Sequence, residues 1–325
     1  MSNTADPDSV PSNVPSLPAL SAQLGVEIRA IERLITGSGG AHSNVYACHT
    51  EAGELILRLA QGKQGYYTHY FEERVNWSNW ADQHWAISQA VKAGVPAPEL
   101  VATDRASGAV LMKRMPGVPI DSRYDEVWRG CPYDERDFGI LLQRMHSIRP
   151  TGWGPIDDYG SGLFETWADF LSEAALSAIK LCRMRGSLPP ALCDALMSRW
   201  EPRLRNIGCA EPSLLHMESL GFANIMYEPA ARSITGLLDY EDCLGGDPLF
   251  EIVWMRYYFE HESRQQTYFD FGRFQSGYGD ADFDIVRARL YEPLTFLDKL
   301  RWIECDGDRA RQYWGRLDSL VALWK

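Results

Sequence analysis

Apolar residues in the first third of the chain fall into short runs separated by glycine-rich or polar turns, a pattern typical of antiparallel strands. Such runs occupy residues 30–35, 45–49 and 54–59, and a fourth lies at 110–115. The turn between the first two runs, residues 36–43, contains three glycines. An antiparallel sheet is therefore predicted for this region.

Residues 74–93 have a different period, with apolar side chains recurring at intervals of three and four residues. This spacing predicts a helix, and the following Gly94-Val95-Pro96-Ala97-Pro98 predicts its end. Helical patterns return at 138–146, and helices are expected to fill much of 165–205 and 248–324. The predicted fold class is α+β with two lobes: a five-stranded antiparallel sheet plus a helix, then a mainly helical C-terminal lobe.

The start of the chain is rich in Ser, Pro, Asn and Asp, so residues 1–22 are predicted to be a disordered leader. This stretch lacks a basic segment followed by an apolar one and does not have the pattern of a secretory signal. No run of 18 apolar residues predicts a transmembrane helix. The seven cysteines are scattered, odd in number and without a C-x-x-C pair, which predicts reduced thiols and a cytoplasmic location.

The net charge of −12 disfavours nucleic acid and anionic membranes as partners. It suits a cationic small molecule, although acidity is common in globular proteins.

The residues with the most specific chemistry lie in the segment 213–248. An apolar entry leads to His216, a polar turn leads to Asn224, and two apolar runs around Glu228-Pro229 lead to Asp239. Two strands joined by a turn place Asn224 and Asp239 next to each other. One amide oxygen and one carboxylate form a site that suits Mg²⁺, which usually takes its remaining ligands from water and nucleotide phosphates.

This segment resembles the catalytic segment of the aminoglycoside phosphotransferase family, relatives of choline kinases and protein kinases. That family reads roughly H-G-D-x-x-x-x-N, a hairpin, then I-D-W/Y and G-D-P; Asn224, Leu238-Asp239-Tyr240 and Gly246-Asp247-Pro248 match it. The resemblance implies a protein-kinase-like fold, ATP as donor, and Mg²⁺ held by Asn224 and Asp239. It also implies that the residue two after His216 orients the acceptor hydroxyl, and that Asp247 braces the loop.

The position of the catalytic base departs from the family pattern. Two residues after His216 is Glu218, and six steps separate it from Asn224, where the family has five. Counting back five from Asn224 reaches Ser219. Either Glu218 is the base and a one-residue bulge follows it, or Ser219 occupies the base position. We favour Glu218, because residues 220–224 then keep their usual relation to the metal.

Residues 24–115 resemble the nucleotide-binding lobe of the same family. The glycine-rich turn, with Gly39 and Ser43, corresponds to a lid whose backbone N–H groups approach phosphates. Arg58 stands on the third strand where kinases have Lys, and is implied to bind the α- and β-phosphates. Gln83 stands where the family has a helix Glu that pairs with this cation. The strand carrying Met112, with Arg114 after it, resembles the linker that contacts the adenine.

Two functions therefore remain open, with residues 23–115 as the nucleotide-binding lobe and 116–325 as the catalytic and substrate lobe. The first is an ATP- and Mg²⁺-dependent phosphotransferase that acts on a hydroxyl of an aminoglycoside-like antibiotic or another metabolite. The second is a pseudokinase, or a repurposed kinase-fold protein, that binds a nucleotide or a natural product without phosphoryl transfer. Arg58, Gln83 and the irregular base position favour the second, and the retained Asn224 and Asp239 oppose it.

Overall fold

The computed structural model describes residues 16–34, 43–51, 53–60, 79–104, 109–120, 133–157, 159–209, 211–217, 224–240, 242–257, 269–279, 284–300 and 307–324. The N-terminal lobe consists of helix α1 (Leu17–Leu24), strands β1 (Ile28–Arg33), β2 (Ser43–Thr50) and β3 (Gly53–Ala60), helix α2 (Asn79–Lys92), and strands β4 (Leu100–Asp104) and β5 (Ala109–Lys113). The strands form one sheet in the order β1-β2-β3-β5-β4, antiparallel throughout. The predicted five-stranded sheet is confirmed.

Strand register divides the side chains of this sheet between two faces, because directly paired residues of antiparallel strands point the same way. Arg58 pairs with Val110, and Ile56 pairs with Met112, so these four side chains share one face. The opposite face is covered by α1, whose buried leucines join leucines of β3 and β5 in one apolar cluster. Arg58 therefore projects from the face turned away from α1.

Helix α1 corrects the end of the predicted disordered leader, because residues 17–22 of that leader are helical. Pro18 lies in the first turn, where its missing N–H is not needed, and Gly25 ends the helix with φ +65°. Leu20 and Leu24, four residues apart, are buried against the sheet. Two leucines are too short a pattern to stand out in a Ser- and Pro-rich sequence. Residues 1–15 lie outside the described part of the chain.

Helix α2 ends where its stop signal predicts. Its last residue is Lys92, and Gly94 follows with φ +75°, a conformation that costs glycine no steric penalty. The N–H groups of Gly94 and Val95 donate to the carbonyl groups of Val91 (3.0 Å) and Ala90 (2.9 Å). The last turn of the helix is thereby closed. Residues 74–78 of the predicted helix lie outside the described residues.

The C-terminal lobe is mainly helical, as predicted, and carries two small sheets. Its elements are β6 (Val118–Pro119), α3 (Glu135–His146), β7 (Trp153–Ile156), β8 (Gly162–Phe164), α4 (Trp167–Met184), α5 (Pro190–Ala195), a π-helical turn (Leu196–Trp200), α6 (Glu201–Leu204), β9 (Ser213–Leu215), β10 (Ile225–Glu228), β11 (Ser233–Leu237), β12 (Leu244–Gly246), α7 (Pro248–Tyr257), α8 (Phe271–Tyr278), α9 (Ile285–Leu300) and α10 (Asp308–Ala322). The sheets have the orders β11-β10-β6 and β8-β7-β12-β9.

A group of packed aromatic side chains holds the residue that precedes α7. The ring of Trp167 stacks on Phe170 with centroids 4.9 Å apart, and Tyr291 meets Trp167 edge-on. Trp167 Nε1 donates to the Tyr291 hydroxyl at 2.9 Å, and that hydroxyl donates to Asp247 Oδ2 at 2.7 Å. Asp247 Oδ1 accepts the Leu249 N–H at 3.0 Å. The packed core therefore holds Asp247 as the N-terminal cap of α7.

Helices α3 and α8 cross at glycines, so their backbones come unusually close. A Cβ atom on Gly277 of α8 would lie 1.9 Å from the carbonyl oxygen of Arg136 on α3. This approach brings Tyr278 next to His146, with ring centroids 5.5 Å apart.

The described part of the chain contains no helix that is long and apolar enough to cross a bilayer. Nor does it contain a disulfide, since Cys48, Cys182, Cys193, Cys209 and Cys243 are all unbridged.

Candidate active site

A hairpin brings the two predicted metal ligands together. Strands β10 and β11 pair with Ile225 opposite Leu237, and the Leu238 N–H donates to the Asn224 carbonyl at 2.7 Å. Asn224 therefore lies beside the end of β11, where Asp239 follows. Asp239 has φ +68°, a left-handed conformation that Asp adopts more readily than most residues.

Arg58 reaches this site from the other lobe. Its Nη1 lies 3.1 Å from Asp239 Oδ1, and the two side chains are only 13% and 24% exposed. An ion pair shielded from water to this degree is stronger than an exposed one. The residue predicted to bind phosphates and the residue predicted to bind Mg²⁺ are thus in direct contact.

Two other predicted nucleotide-binding residues lie on or after β5. Met112 is buried on the sheet face that also carries Arg58, so it lines the side of the sheet that meets Asp239. Arg114 follows the strand and forms an ion pair with Glu54 that is half exposed on the Arg114 side. Arg114 is held at the surface by Glu54, and the structure gives it no contact with Arg58 or Asp239.

Several predicted site residues lie outside the described part of the chain. These are Gly39 in the glycine-rich turn, and Glu218 and Ser219 at the base position. The backbones of Ser43 and Gln83 lie in β2 and α2, while their side chains are outside the described residues. The roles of these residues, and the choice between Glu218 and Ser219, stay predictions.

The segment that enters the base position is held by a buried carboxylate that the sequence analysis missed. Glu251 on α7 is fully buried. Its Oε2 accepts the His216 N–H at 2.9 Å, and its Oε1 accepts the Met217 N–H at 3.1 Å. Met217 has φ +60°, which costs a non-glycine residue about 1 kcal/mol. The Glu251 carboxylate therefore stabilises a strained turn immediately before Glu218.

His146 and Tyr278 continue the chain of hydrogen bonds that begins at Glu251. His146 Nε2 lies 2.9 Å from Glu251 Oε2, and His146 Nδ1 lies 2.6 Å from the Tyr278 hydroxyl. Because a carboxylate only accepts, His146 Nε2 carries a hydrogen and donates it to Glu251. His146, expected from sequence to be a packing residue rather than a ligand, is buried and links Tyr278 to Glu251.

The charge state of Glu251 follows from these partners. Burial acts to raise the pKa of Glu251, but the hydrogen bond and charge of His146, together with His216, outweigh burial and the pKa lies below its ordinary value. Burial raises the pKa of Tyr278, so its hydroxyl keeps its proton. The sequence did carry one signal for this network: Glu251 is a lone charge within the apolar run Leu249-Phe250-Glu251-Ile252-Val253, and such a residue needs a buried partner.

The two predicted metal ligands at the hairpin end offer an amide oxygen and a carboxylate, a donor set that suits a magnesium ion held by few protein groups. Among the described residues, no cluster of three or more His, Cys, Asp and Glu side chains could hold a metal. The Asp239 carboxylate already faces a cation, Arg58, so its surroundings accept positive charge. An amide oxygen at Asn224 would complete a pair of hard ligands.

A sequence model described as the phosphotransferase enzyme family matches residues 34–297 of this chain. The chain belongs to this family. The matched range contains Arg58, Asn224, Asp239 and Glu251, so the whole site lies inside it.

Solved structures share the fold with this family member over nearly its whole length. A ternary complex of aminoglycoside phosphotransferase APH(4)-Ia with AMP-PNP and hygromycin B has a TM-score of 0.62 at 18% identity, covering 94% of this chain and 98% of that one. Macrolide 2'-phosphotransferase MphH from Brachybacterium faecium has a TM-score of 0.57 at 15% identity, covering 96% and 98%. Choline kinase LicA from Streptococcus pneumoniae has a TM-score of 0.58 at 16% identity, covering 94% and 97%. The kinase-like fold predicted from the sequence is thereby confirmed.

Proposed function

We propose that this protein transfers the γ-phosphoryl group of ATP to a hydroxyl of a small molecule, using Mg²⁺. The observation that carries the proposal is the contact between Arg58 Nη1 and Asp239 Oδ1, 3.1 Å long, beside Asn224. Phosphoryl transfer depends on positioning and charge neutralisation more than on covalent chemistry. A phosphate-binding cation in contact with a metal-binding carboxylate supplies both at one point between the lobes.

Each group has a defined part in the proposed reaction. Arg58 donates hydrogen bonds to the α- and β-phosphates, while Asn224 and Asp239 hold Mg²⁺, which supplies charge neutralisation at the phosphates when bound. The acceptor oxygen forms a bond to the γ-phosphorus, and the bond from that phosphorus to the bridging oxygen breaks to release ADP. Glu218 orients the acceptor hydroxyl and takes its proton.

The acceptor is proposed to be a hydroxylated small molecule that is cationic at neutral pH. The net charge of −12 supports this choice, and the structural neighbours include proteins crystallised with hygromycin B and a choline kinase. A donor such as ATP and the unbridged cysteines of the described residues fit a cytoplasmic protein. With its start moved to the beginning of α1, the stretch 17–115 is proposed as the nucleotide-binding lobe, and 116–325 as the catalytic and substrate lobe.

Replacement of Asp239 tests the metal assignment. Asp239→Asn keeps the side-chain shape and tolerates the left-handed backbone, so it should fold, whereas Asp239→Ala adds backbone strain. Both variants should lose Mg²⁺-dependent ATP binding measured by calorimetry, and with it turnover. Circular dichroism should report an unchanged fold for Asp239→Asn. Binding of Mg²⁺-ATP by Asp239→Asn as tight as in the parent would show that the metal assignment is wrong.

A second candidate is a nucleotide-binding protein that performs no transfer. The six-residue spacing from Glu218 to Asn224 and the amide at Gln83 support it. The two candidates differ in one measurement: ATP turnover by the parent protein with a panel of hydroxylated cationic acceptors. Tight Mg²⁺-ATP binding without any phosphorylated product would favour the second candidate.

A further inference from the structure

A cavity of about 360 Å³, partly open to solvent, lies in the C-terminal lobe. It is bordered by the C-terminal end of α3, the start of β9, and helices α7, α8 and α9. Ser213 and Asp247 on its wall stand at the end of β9 and β12 opposite to His216, so the cavity does not belong to the site around Asp239. The side chains that matter below are those of Gln143, His146, Arg149, Asp247, Tyr278 and Arg287.

The first cation of the cavity, Arg287, forms an ion pair with Asp247. Its side chain is 26% exposed, and its Nε lies 3.3 Å from Asp247 Oδ2. Arg287 on the wall brings a permanent positive charge to the cavity, and this charge favours an oxyanion there.

The second cation, Arg149, is held in place but can take another partner. Its Nη1 donates to Ser213 Oγ at 2.9 Å. Its ion pair with Glu211, at 3.4 Å, joins side chains that are 50% and 74% exposed. Exposed pairs of this kind contribute little to stability, so Glu211 is easily displaced. Arg149 and Tyr278 both line the cavity.

We propose that this cavity is a second binding site, for a small oxyanion such as phosphate or the phosphoryl or carboxylate group of a metabolite. Two guanidinium groups provide charge and paired N–H donors that match such groups. They outnumber Asp247, which is the one carboxylate among the described residues of the wall.

Occupancy of this site is coupled to the segment at His216 and Met217. The Tyr278 hydroxyl shares a hydrogen bond with His146 Nδ1, and the two atoms are 2.6 Å apart. An oxyanion that engages this hydroxyl changes the hydrogen bond to His146. His146 in turn contacts Glu251, and Glu251 accepts the N–H groups of His216 and Met217. Ligand binding therefore changes the support of the strained turn next to Glu218. This coupling to catalysis rests on the proposed function, whereas anion binding does not.

Titration of inorganic phosphate into the full-length, nucleotide-free protein tests the site, with calorimetry for the dissociation constant. Gln143 is exposed at the rim of the cavity, so Gln143→Lys should tighten phosphate binding and Gln143→Glu should weaken it, each about threefold. Arg149→Gln should weaken it about tenfold. The matched controls, Gln312→Lys and Gln312→Glu on the exposed face of α10, should leave the dissociation constant unchanged.

A parallel variant separates this site from the proposed nucleotide site. Arg58→Gln should leave phosphate binding intact, and a loss of binding in that variant alone would overturn the proposal. No phosphate binding by the parent at millimolar concentration, or equal affinities in the two Gln143 variants, would also overturn it. Succinate in place of phosphate distinguishes a carboxylate from a phosphoryl ligand. Amide hydrogen exchange at His216 and Met217 should change on binding, and should not change in Tyr278→Phe.

Discussion

Two neighbouring residues, Glu218 and Ser219, compete for the position of the proposed base. If Glu218 takes the acceptor proton, Glu218→Ala should lower kcat by about 10²–10⁴-fold and leave ATP affinity nearly unchanged. Glu218→Gln should behave similarly, since the amide keeps the shape without the basicity, and Ser219→Ala should have a mild effect. The measurement is kcat for the four proteins with one acceptor. A large loss in Ser219→Ala with none in Glu218→Ala would overturn the assignment.

Glu251 is a positioning residue, so its loss should affect kcat and stability in a pH-dependent way. Glu251→Gln should lower the free energy of unfolding at pH 7 by about 3 kcal/mol, since it breaks a buried charge network. The folded-state pKa of Glu251 lies below its ordinary value of 4.5. The stability that its charge provides is therefore fully present above that value and is lost as pH falls through the folded-state pKa.

The stability difference between parent and Glu251→Gln should accordingly shrink below about pH 4, as measured by urea denaturation across pH. In steady-state kinetics, kcat should fall while KM for ATP changes little, because Arg58 and Asp239 are untouched. Glu165→Gln, an exposed change of the same kind, should be neutral in both assays. A difference in stability that stays constant down to pH 3 would contradict the charged role of Glu251.

Sequence reasoning predicted Asn224 and Asp239 from two strands joined by a turn, and Arg58 from the resemblance to the family; the structure brings Arg58 and Asp239 into contact. It missed Glu251 because the partners of this carboxylate are backbone N–H groups 34 and 35 residues away, and backbone donors leave no mark in the sequence. Tyr278 was missed for a related reason, since its contact with His146 spans 132 residues. Site residues next to a turn or strand can be predicted from the sequence. Contacts that hold those residues in place from distant parts of the chain cannot.

At the scale of elements, the helices and strands that are bounded by clear turn or stop signals were predicted well. Helix α2 ends next to a Gly-Val-Pro stop, and β2 and β3 lie on either side of the turn at 51–53. Helix α1 was missed because only two buried leucines mark it. The α3–α8 crossing was also missed, because glycine on a helix usually signals a break, whereas here Gly277 permits a close approach of two backbones.

Substitution of Gly277 tests this crossing. A Cβ atom in Gly277→Ala would overlap the carbonyl oxygen of Arg136, and neither helix backbone can yield without moving Tyr278 from His146. We expect the free energy of unfolding to fall by about 1–3 kcal/mol. The matched control is Gly315→Ala on α10, where nothing lies within 4 Å of the added carbon; the better helix propensity of Ala should stabilise that variant by about 0.5–1 kcal/mol. Chemical denaturation measures the free energy of unfolding of both variants. A change in the same direction in both would contradict the packing argument.

At the scale of the whole molecule, α2 and the residues after it join the two lobes, since Ala86, Ile87 and Ala90 pack in the apolar core of the C-terminal lobe. The Leu237 N–H donates to the Pro96 carbonyl at 2.8 Å, and Arg144 Nη1 donates to the Gly94 carbonyl at 3.0 Å. Both contacts connect the residues after α2 to the C-terminal lobe, the first between backbone groups and the second from the Arg144 side chain. The contact between Arg58 and Asp239 differs, because it is an ion pair between residues that are also proposed to bind ligand.

Arg58 and Asp239 pair with each other and are also proposed to bind ligands. Replacement of Arg58 should therefore change two binding affinities in opposite directions. In the nucleotide-free protein, Arg58 occupies Asp239 Oδ1, so a free divalent cation must displace a guanidinium to reach the carboxylate. Arg58→Gln should therefore bind Mn²⁺ alone about tenfold more tightly than the parent, because a competing charge is gone. The same variant should bind Mg²⁺-ATP about ten- to a hundredfold more weakly, since a charge-assisted contact to the phosphates contributes about 1.5–3 kcal/mol.

Electron paramagnetic resonance of Mn²⁺ measures the first affinity and calorimetry the second. Arg29→Gln is the matched control, because Arg29 forms exposed ion pairs with Glu27 and Glu51 on the far strand of the sheet, and neither affinity should change in it. If Arg58→Gln weakened both affinities, the lobes would depend on the ion pair to form the metal site. If it changed neither, the pair would be a structural contact only, and the phosphate-binding role of Arg58 would be wrong. Tighter Mn²⁺ binding together with weaker Mg²⁺-ATP binding is expected only if Arg58 leaves Asp239 and binds phosphate when the nucleotide binds.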